Sequence, residues 1–269
     1  MEPILDVREL TVTFGGVTAL NRVSLTVPAG RFVGLIGPNG AGKTTFMDAV
    51  TGMVPARGRV LLRGRDITTL PTHRRIRAGL ARTFQGLELF EDLTVRENLT
   101  VAAETTRWYS PMLDLVYPRA SQTARAAVQR AIEQMELADL ADQLPINLSL
   151  GQRKIVTIAR ALAADPSLLL LDEPAAGLDS SESLELGRRL RALADRGVTI
   201  LMIDHDMALV MGVTDEVHVL DFGSLIASGP PAVVRSDERV IHAYLGAEEA
   251  PSTGDVAAPS VNTAAGTVA

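Results

Sequence analysis

The chain contains no cysteine. Disulfides, thiolate metal sites and a cysteine nucleophile are therefore excluded, and the composition fits a reducing compartment without demanding one. The opening residues Met1-Glu2-Pro3-Ile4-Leu5-Asp6 lack both a basic segment and an apolar core, so they do not read as a secretory leader. No uninterrupted apolar run approaches the roughly 20 residues of a membrane-spanning helix. The chain is expected not to cross a bilayer, although a partner can still hold it against one. Positive charge is also scarce. Lys and Arg number 26 against 32 Asp and Glu, a net charge of −6, so no overall field recruits nucleic acid. What remains is ordinary for a globular protein: 46% hydrophobic and 22% charged over 269 residues. That length suffices for one large domain or two intimate lobes with a real core. No internal repeat is present.

Against this background, Gly37-Pro38-Asn39-Gly40-Ala41-Gly42-Lys43-Thr44 has the form G-x-x-x-x-G-K-T. The strand-like run Phe32-Val33-Gly34-Leu35-Ile36 precedes it, and a helical pattern follows from Thr44 and Thr45 to Val50. This context rings phosphate oxygens with backbone N–H groups and a helix N-terminus. Lys43 is expected to reach the β- and γ-phosphates, and the Thr44 hydroxyl to ligate Mg²⁺.

Along the chain, Leu10, Val12 and Phe14, then Val23, Leu25 and Val27, alternate with polar residues. Gly15-Gly16 and Pro28-Ala29-Gly30 punctuate them, which predicts antiparallel strands. Residues 58–64 read as a further strand. From about 86 to 165 the spacing turns helical, as in Ala124, Ala127, Val128, Ala131, Ile132 and Met135. This predicts a helical insertion. The all-apolar run Leu168-Leu169-Leu170-Leu171 fits a strand buried on both faces of a parallel sheet. A helix follows, with Leu186, Leu190 and Leu193 on one face and Gly197 as its stop. Residues 198–203 form the next buried strand, so right-handed βαβ units are expected. A hairpin is predicted around Asp221-Phe222-Gly223. Residues 247–269, without Lys or Arg and without a periodic apolar face, read as a disordered tail.

Two further stretches invite chemistry. Asp172 and Glu173 end the Leu168 strand, where an acid can hold Mg²⁺ through water and its neighbour can orient an attacking water. The same pair also suits capping of the next helix. Leu148-Ser149-Leu150-Gly151-Gln152 opens a helix with Ser149 as N-cap, either an ordinary capped helix or an anion-seeking helix end.

Taken together, these elements resemble the ATP-binding subunits of ABC transporters. Residues 37–44 resemble the Walker A loop, Arg82-Thr83-Phe84-Gln85 the Q-loop, and Leu148-Ser149-Leu150-Gly151-Gln152 the signature. Residues 168–173 resemble Walker B, Ala176-Gly177-Leu178-Asp179 the D-loop, and His205 the switch histidine. Leu89-Phe90, the run from Leu93 to Leu99, Ala175-Ala176-Gly177-Leu178-Asp179 and Asp204-His205-Asp206-Met207 resemble the branched-chain amino-acid importer branch more narrowly. So does the ending Val240-Ile241-His242-Ala243-Tyr244-Leu245-Gly246. Urea or amide importers and the lipopolysaccharide-export ATPase share much of the pattern.

The resemblance implies an α/β P-loop NTPase fold. Its RecA-like core has a mainly parallel sheet and, with an antiparallel β subdomain, spans 1–85 and 166–246; a helical subdomain spans about 86–165. It implies ATP and Mg²⁺ as ligands. The nucleotide contacts would be Gly37, Pro38, Asn39, Gly40, Ala41, Gly42, Lys43, Thr44 and Thr45. The metal would be managed by Thr44, Gln85 and Asp172, and catalysis by Lys43, Gln85, Glu173 and His205. Ser149, Gly151 and Gln152 would serve the nucleotide of a second ATPase subunit, identical or related, with Asp179 coupling the two sites. Integral membrane permeases would be direct partners and a periplasmic or extracellular solute-binding protein an indirect one, with no nucleic acid. The chain would lie at the cytoplasmic face of the plasma membrane.

There are departures. Position 150 is Leu where most signatures have Gly, and position 204 is Asp where the importer branch usually has Glu. Phe14 is either the aromatic that stacks on adenine or an ordinary strand-face residue. Residues 57–82 set eight arginines against one acid, Asp66; these are solvated loop charges or contacts to anionic headgroups or a membrane partner. Trp108-Tyr109 and Pro111-Met112-Leu113 are core or a docking surface. Two other classes compete. A soluble ABC protein of DNA repair would need a long coiled-coil insertion, and one of translation usually two ATPase units. A small-molecule kinase would leave the signature and His205 unexplained.

Overall fold

The computed structural model describes residues 3–84, 86, 89–104 and 119–248. Gln85, the 108–113 cluster and the expected tail from residue 249 onward lie outside the described residues.

Two sheets form the framework. Strands β1 (Pro3–Phe14), β2 (Val17–Pro28), β4 (Arg57–Leu62) and β5 (Arg65–Asp66) make an antiparallel sheet in the order β2-β1-β4-β5. Apolar residues alternate along β1, but the phase changes midway. Leu5 and Val7 are buried, then Leu10 and Val12. Glu9, at φ 50, sits in the register shift between Val7 and Leu10 that produces the change. Arg22, also at φ 50, lies in the corresponding irregularity of β2.

The second sheet has six strands. Its members β3 (Phe32–Ile36), β6 (Leu80–Arg82), β7 (Leu168–Asp172), β8 (Ile200–Ile203) and β9 (Glu216–Asp221) run parallel in the order β9-β3-β8-β7-β6. Strand β10 (Ser224–Gly229) closes one edge as an antiparallel hairpin with β9. Strands β3, β7 and β8 are buried throughout, because alternate side chains feed two different cores. Leu168 and Leu170 join the core under the antiparallel sheet, together with Phe46 and Met47. Leu169 and Leu171 join the opposite core, together with Leu186, Leu190 and Val156.

Helix α1 (Lys43–Thr51) follows β3, and the short α2 (Thr72–Arg77) follows β5. Three helices, α3 (Val95–Glu104), α4 (Arg119–Gln134) and α5 (Leu150–Ala163), pack on one another in the region expected to be helical. The chain then returns through α6 (Ser180–Asp195), α7 (Met207–Val213), α8 (Pro231–Arg235) and α9 (Glu238–Glu248). Helix α9 continues two residues past the expected start of the tail at 247. Strand β8 begins at Ile200; Val198 is still tied to α6 through its N–H to Leu193 O, while Thr199 O already accepts the Leu169 N–H of β7.

The basic run 57–82 divides in three dimensions. Arg59 pairs with Asp66 at the surface, and Arg57, Arg65, Arg74 and Arg77 are exposed. Arg75 is buried and donates to the carbonyls of Ala49, Val50, Leu70 and Thr68. Two of those belong to the last turn of α1, where carbonyls lack the usual i+4 donor, although Ala49 O also accepts the Gly52 N–H at 3.2 Å. Arg75 therefore ties the phosphate-loop helix to the β5–α2 connection. Arg75→Met should cost about 3 kcal/mol of unfolding free energy, because several buried carbonyls lose their donor. A urea unfolding midpoint unchanged from the unaltered protein would contradict this.

Candidate functional site

The phosphate-type loop leaves β3 and bends so sharply that two of its glycines are sterically required. A Cβ on Gly37 (φ 150) would lie 2.1 Å from the Leu220 carbonyl oxygen. One on Gly42 (φ 100) would lie 2.7 Å from the Ala19 carbonyl oxygen. The loop is thus pressed between β2 and the β9–β10 hairpin. The turn of that hairpin bonds to both neighbours: Gly223 N–H donates to Ala41 O at 3.0 Å, and Asn21 N–H donates to Gly223 O at 2.8 Å. Phe222 in the same turn has φ 40 and is 88% exposed.

Lys43 opens α1 and folds its ammonium over the loop, donating to Gly37 O at 2.7 Å and Pro38 O at 2.9 Å. Burial pushes its pKa below the usual lysine value, and the carboxylates of Glu173 and Asp172 oppose that shift. Thr44 is exposed, and Thr45 is half-buried beside it.

Asp172 and Glu173 stand at the end of β7, one strand away from β8 and two from β3. Asp172 is buried, and its Oδ2 accepts from Arg82 Nη2 at 2.6 Å. Its Oδ1 is buried with no hydrogen-bond partner. Glu173 adopts φ 47, a left-handed conformation unusual for a non-glycine, and its N–H donates to Ile203 O at 2.8 Å. The His205 Nδ1 lies 3.9 Å from Glu173 Oε2 and 3.5 Å from Asp204 Oδ1. Asp204 is fully enclosed and accepts the N–H groups of Ala175 and Asp206, each at 3.0 Å. It thereby fastens the loop after β8 to the loop after β7, a job its shorter side chain performs without a Glu. Asp206 then caps α7 by accepting from Leu209 N–H.

The structure brings the loop, Lys43, Asp172, Glu173 and His205 together at the C-terminal ends of neighbouring parallel strands, where ligands of open α/β sheets bind. It does not bring Ser149, Gly151 and Gln152 there. Among the described residues, no hydrogen bond or ion pair joins these three to the loop. Ser149 caps α5 in a reciprocal box with Gln152: its hydroxyl accepts Gln152 N–H at 3.2 Å, and its N–H donates to Gln152 Oε1 at 2.9 Å. Gly151 lies against Glu182, whose Oε1 would be 2.9 Å from a Cβ there. Leu150 is exposed and within reach of Gly177. Asp179 caps α6, accepting from Ser181 and Glu182 N–H, and these bonds hold its carboxyl below the usual range. Phe14 is 47% exposed at the end of β1, paired with Val17, and adds nothing to either core.

Three residues near the site were not singled out from sequence. Lys154 on α5 is buried; desolvation lowers its pKa while Asp204 and Glu173 oppose the shift. Tyr244 on α9 is pushed up to about 12 by burial, against a backbone hydrogen bond with Gly37. Arg82, counted above among the surface-type arginines, is enclosed between Asp48 and Asp172. Nothing in a linear reading separates a buried arginine from its exposed neighbours.

The model of the ABC transporter family matches residues 20–176, and a model described as branched-chain amino acid ATP-binding cassette transporter matches residues 224–250. The chain belongs to the ABC transporter family, as an ATPase cassette. It is 40% identical to the high-affinity branched-chain amino acid transport ATP-binding protein LivG of Escherichia coli K12, over 91% of this chain and 98% of that protein. BraF of Pseudomonas aeruginosa, of the same description, is 39% identical over 91% and 98%. The lipopolysaccharide export system ATP-binding protein LptB of Haemophilus influenzae is 36% identical over 90% and 97%. Among solved structures, the ADP conformation of an ATP-binding cassette of an ABC transporter superposes with a TM-score of 0.80 at 31% identity, covering 91% of this chain and all of that one.

An alanine at Gly37 must displace the Leu220 carbonyl. Gly37→Ala is therefore expected to weaken binding of a fluorescent ATP analogue by about tenfold or more, through the loss of loop geometry. Affinity within twofold of the unaltered chain would show that the loop adapts.

Proposed function

We propose that this cassette binds ATP on residues 37–45, hydrolyses it in a site completed by a second ATPase subunit, and drives import of branched-chain amino acids through membrane permeases. The observation that carries the catalytic reading is the convergence of Lys43, Asp172, Glu173 and His205 beside the loop. The solute class rests on the match of residues 224–250 and on the LivG and BraF relatives. LptB, at 36% identity, makes lipid extraction the competing reading.

Mg²⁺ fits the residues present. The unpartnered, buried Asp172 Oδ1 needs a positive or donating neighbour. Three carboxylates, those of Asp48, Asp172 and Glu173, outnumber the cations Arg82 and Lys43 around it. Asp172, with the Thr44 hydroxyl and Gln85, would hold the ion, whose chemistry is to neutralise charge on the β- and γ-phosphate oxygens.

The protein's own groups supply the rest. Lys43 is half-desolvated, which strengthens its attraction to phosphate oxygens. Glu173 takes the proton of a water whose oxygen attacks the γ-phosphorus. The bond from that phosphorus to the β–γ bridging oxygen breaks, and ADP leaves with the electron pair. His205, poised between Glu173 and Asp204, would contact the γ-phosphate. Phe14, exposed at the end of β1, whose partner β2 flanks the loop, would stack on adenine. The start of α5, where Ser149 is exposed and Gly151 is covered by Glu182, makes no hydrogen bond to the same chain's loop; Ser149, Gly151 and Gln152 would serve a partner's nucleotide. Asp179 would hold the paired D-loops. A pair closed by ATP and released by hydrolysis is a population shift driven by differential nucleotide contacts. No helix among the described residues is long and apolar enough to cross a membrane, so transport would be carried by other chains against which this one sits.

Glu173→Gln should abolish turnover while ATP binding persists and a closed dimer accumulates on size exclusion; undiminished hydrolysis would remove Glu173 as the base. Ser149→Arg should impair hydrolysis with near-normal nucleotide binding, and equal loss of both would remove its role in trans. Reconstituted with its permeases, the complex should accumulate leucine in vesicles; extraction of lipid instead would favour the LptB-like reading.

A further inference from the structure

Arg82 is the last residue of β6, three positions before Gln85. Its side chain is 6% exposed and that of Asp172 is 3% exposed. Nη2 donates to Asp172 Oδ2 and Nη1 to Asp48 Oδ1, both at 2.6 Å. Asp48 belongs to α1, so one guanidinium spans the phosphate-loop helix, the strand entering the Gln85 segment and the acid at the end of β7. Its remaining polar atom, Nε, is buried and unpartnered, as is Asp172 Oδ1. The pair is therefore joined through one oxygen only, and the second Asp172 oxygen is kept out of the ion pair. A fork that engaged both oxygens would be the stronger pairing in isolation. Two carboxylates around one guanidinium leave one negative charge uncompensated.

We infer that Arg82 is a positioning residue for the metal site: it fixes the rotamer of Asp172 through Oδ2 so that Oδ1 is presented to a divalent cation. This rests on the reading of Asp172 as a cation holder. The same guanidinium lies 4.9 Å from the centre of the Phe84 ring and 3.6 Å, through Nη1, from the Met53 sulfur. Phe84 and Met53 are 38% and 50% exposed. Arg82 thus lies between this apolar surface and Asp172.

The test uses the full chain, a non-hydrolysable ATP analogue and Mn²⁺ followed by electron paramagnetic resonance. Arg82→Met should raise the half-saturating Mn²⁺ concentration about 10- to 100-fold, the usual effect of losing an outer partner of a metal ligand. Binding of the analogue in EDTA should stay within about twofold, because Arg82 bonds to Asp48 and Asp172 but to no residue of 37–45. Arg82→Lys, which keeps the charge without the fork, should give an intermediate shift at a nearly unchanged melting temperature, and it decides the matter should Arg82→Met not fold. Unshifted Mn²⁺ titrations in both variants, or an equal loss of analogue binding in EDTA, would overturn the role of Arg82. Asp172→Asn separates the two failures. If it too leaves the Mn²⁺ titration unchanged, the cation-holder reading falls; if it alone shifts the titration, only the inference about Arg82 falls.

Discussion

The position of β8 between β3 and β7 governs the rest of the structure. Ile203 pairs with Leu35 on one side and with Asp172 on the other. The phosphate loop, the acid pair and the His205 loop therefore leave the sheet at one level, within side-chain reach of each other. Parallel pairing cannot be made by tight hairpins, so each of these strands arrives through a long crossover. One of those crossovers, from β6 to β7, carries α5, the helix capped by Ser149. Backbone bonds reinforce the alignment: Glu173 N–H reaches Ile203 O, and Asp204 takes the N–H of Ala175.

Much of this was legible in the sequence, for identifiable reasons. The run Leu168–Asp172 has no polar face, which is the mark of a strand covered on both sides, and the two cores divide its side chains alternately. Ser149 is expected as an N-cap and is found as one, with Gln152 closing a reciprocal box that was not anticipated. The glycines of the loop announce a backbone under steric pressure. The illegible features depend on partners distant in sequence. Arg75 and Arg82 sit in a run of arginines that otherwise faces solvent, and only the fold shows that one of them meets four carbonyls and the other two carboxylates. The β1 phase change at Glu9 is invisible because this irregularity places a positive φ at a residue type that rarely takes it. Asp204 in place of Glu looked like a minor departure; in the fold it is a fully enclosed acceptor joining two loops.

The helix starts at Ser149 and Asp179 are built on the same plan, each a capping box and each exposed at the N-terminal turn. They also meet, since Gly151 packs on Glu182, the residue that completes the box of Asp179. The two helix starts are thus in contact. In the proposed pair a partner subunit would meet both helix starts together.

The β9–β10 turn carries a last implication. Phe222 is almost wholly in solvent, yet the next residue bonds directly to Ala41 in the phosphate loop and to Asn21 in β2. A fluorophore attached at that position would sit one residue from the bonds that Gly223 makes to the phosphate loop and to β2. Because the chain has no native cysteine, a single thiol introduced at position 222 could be labelled cleanly, and the cassette comes ready to be read optically.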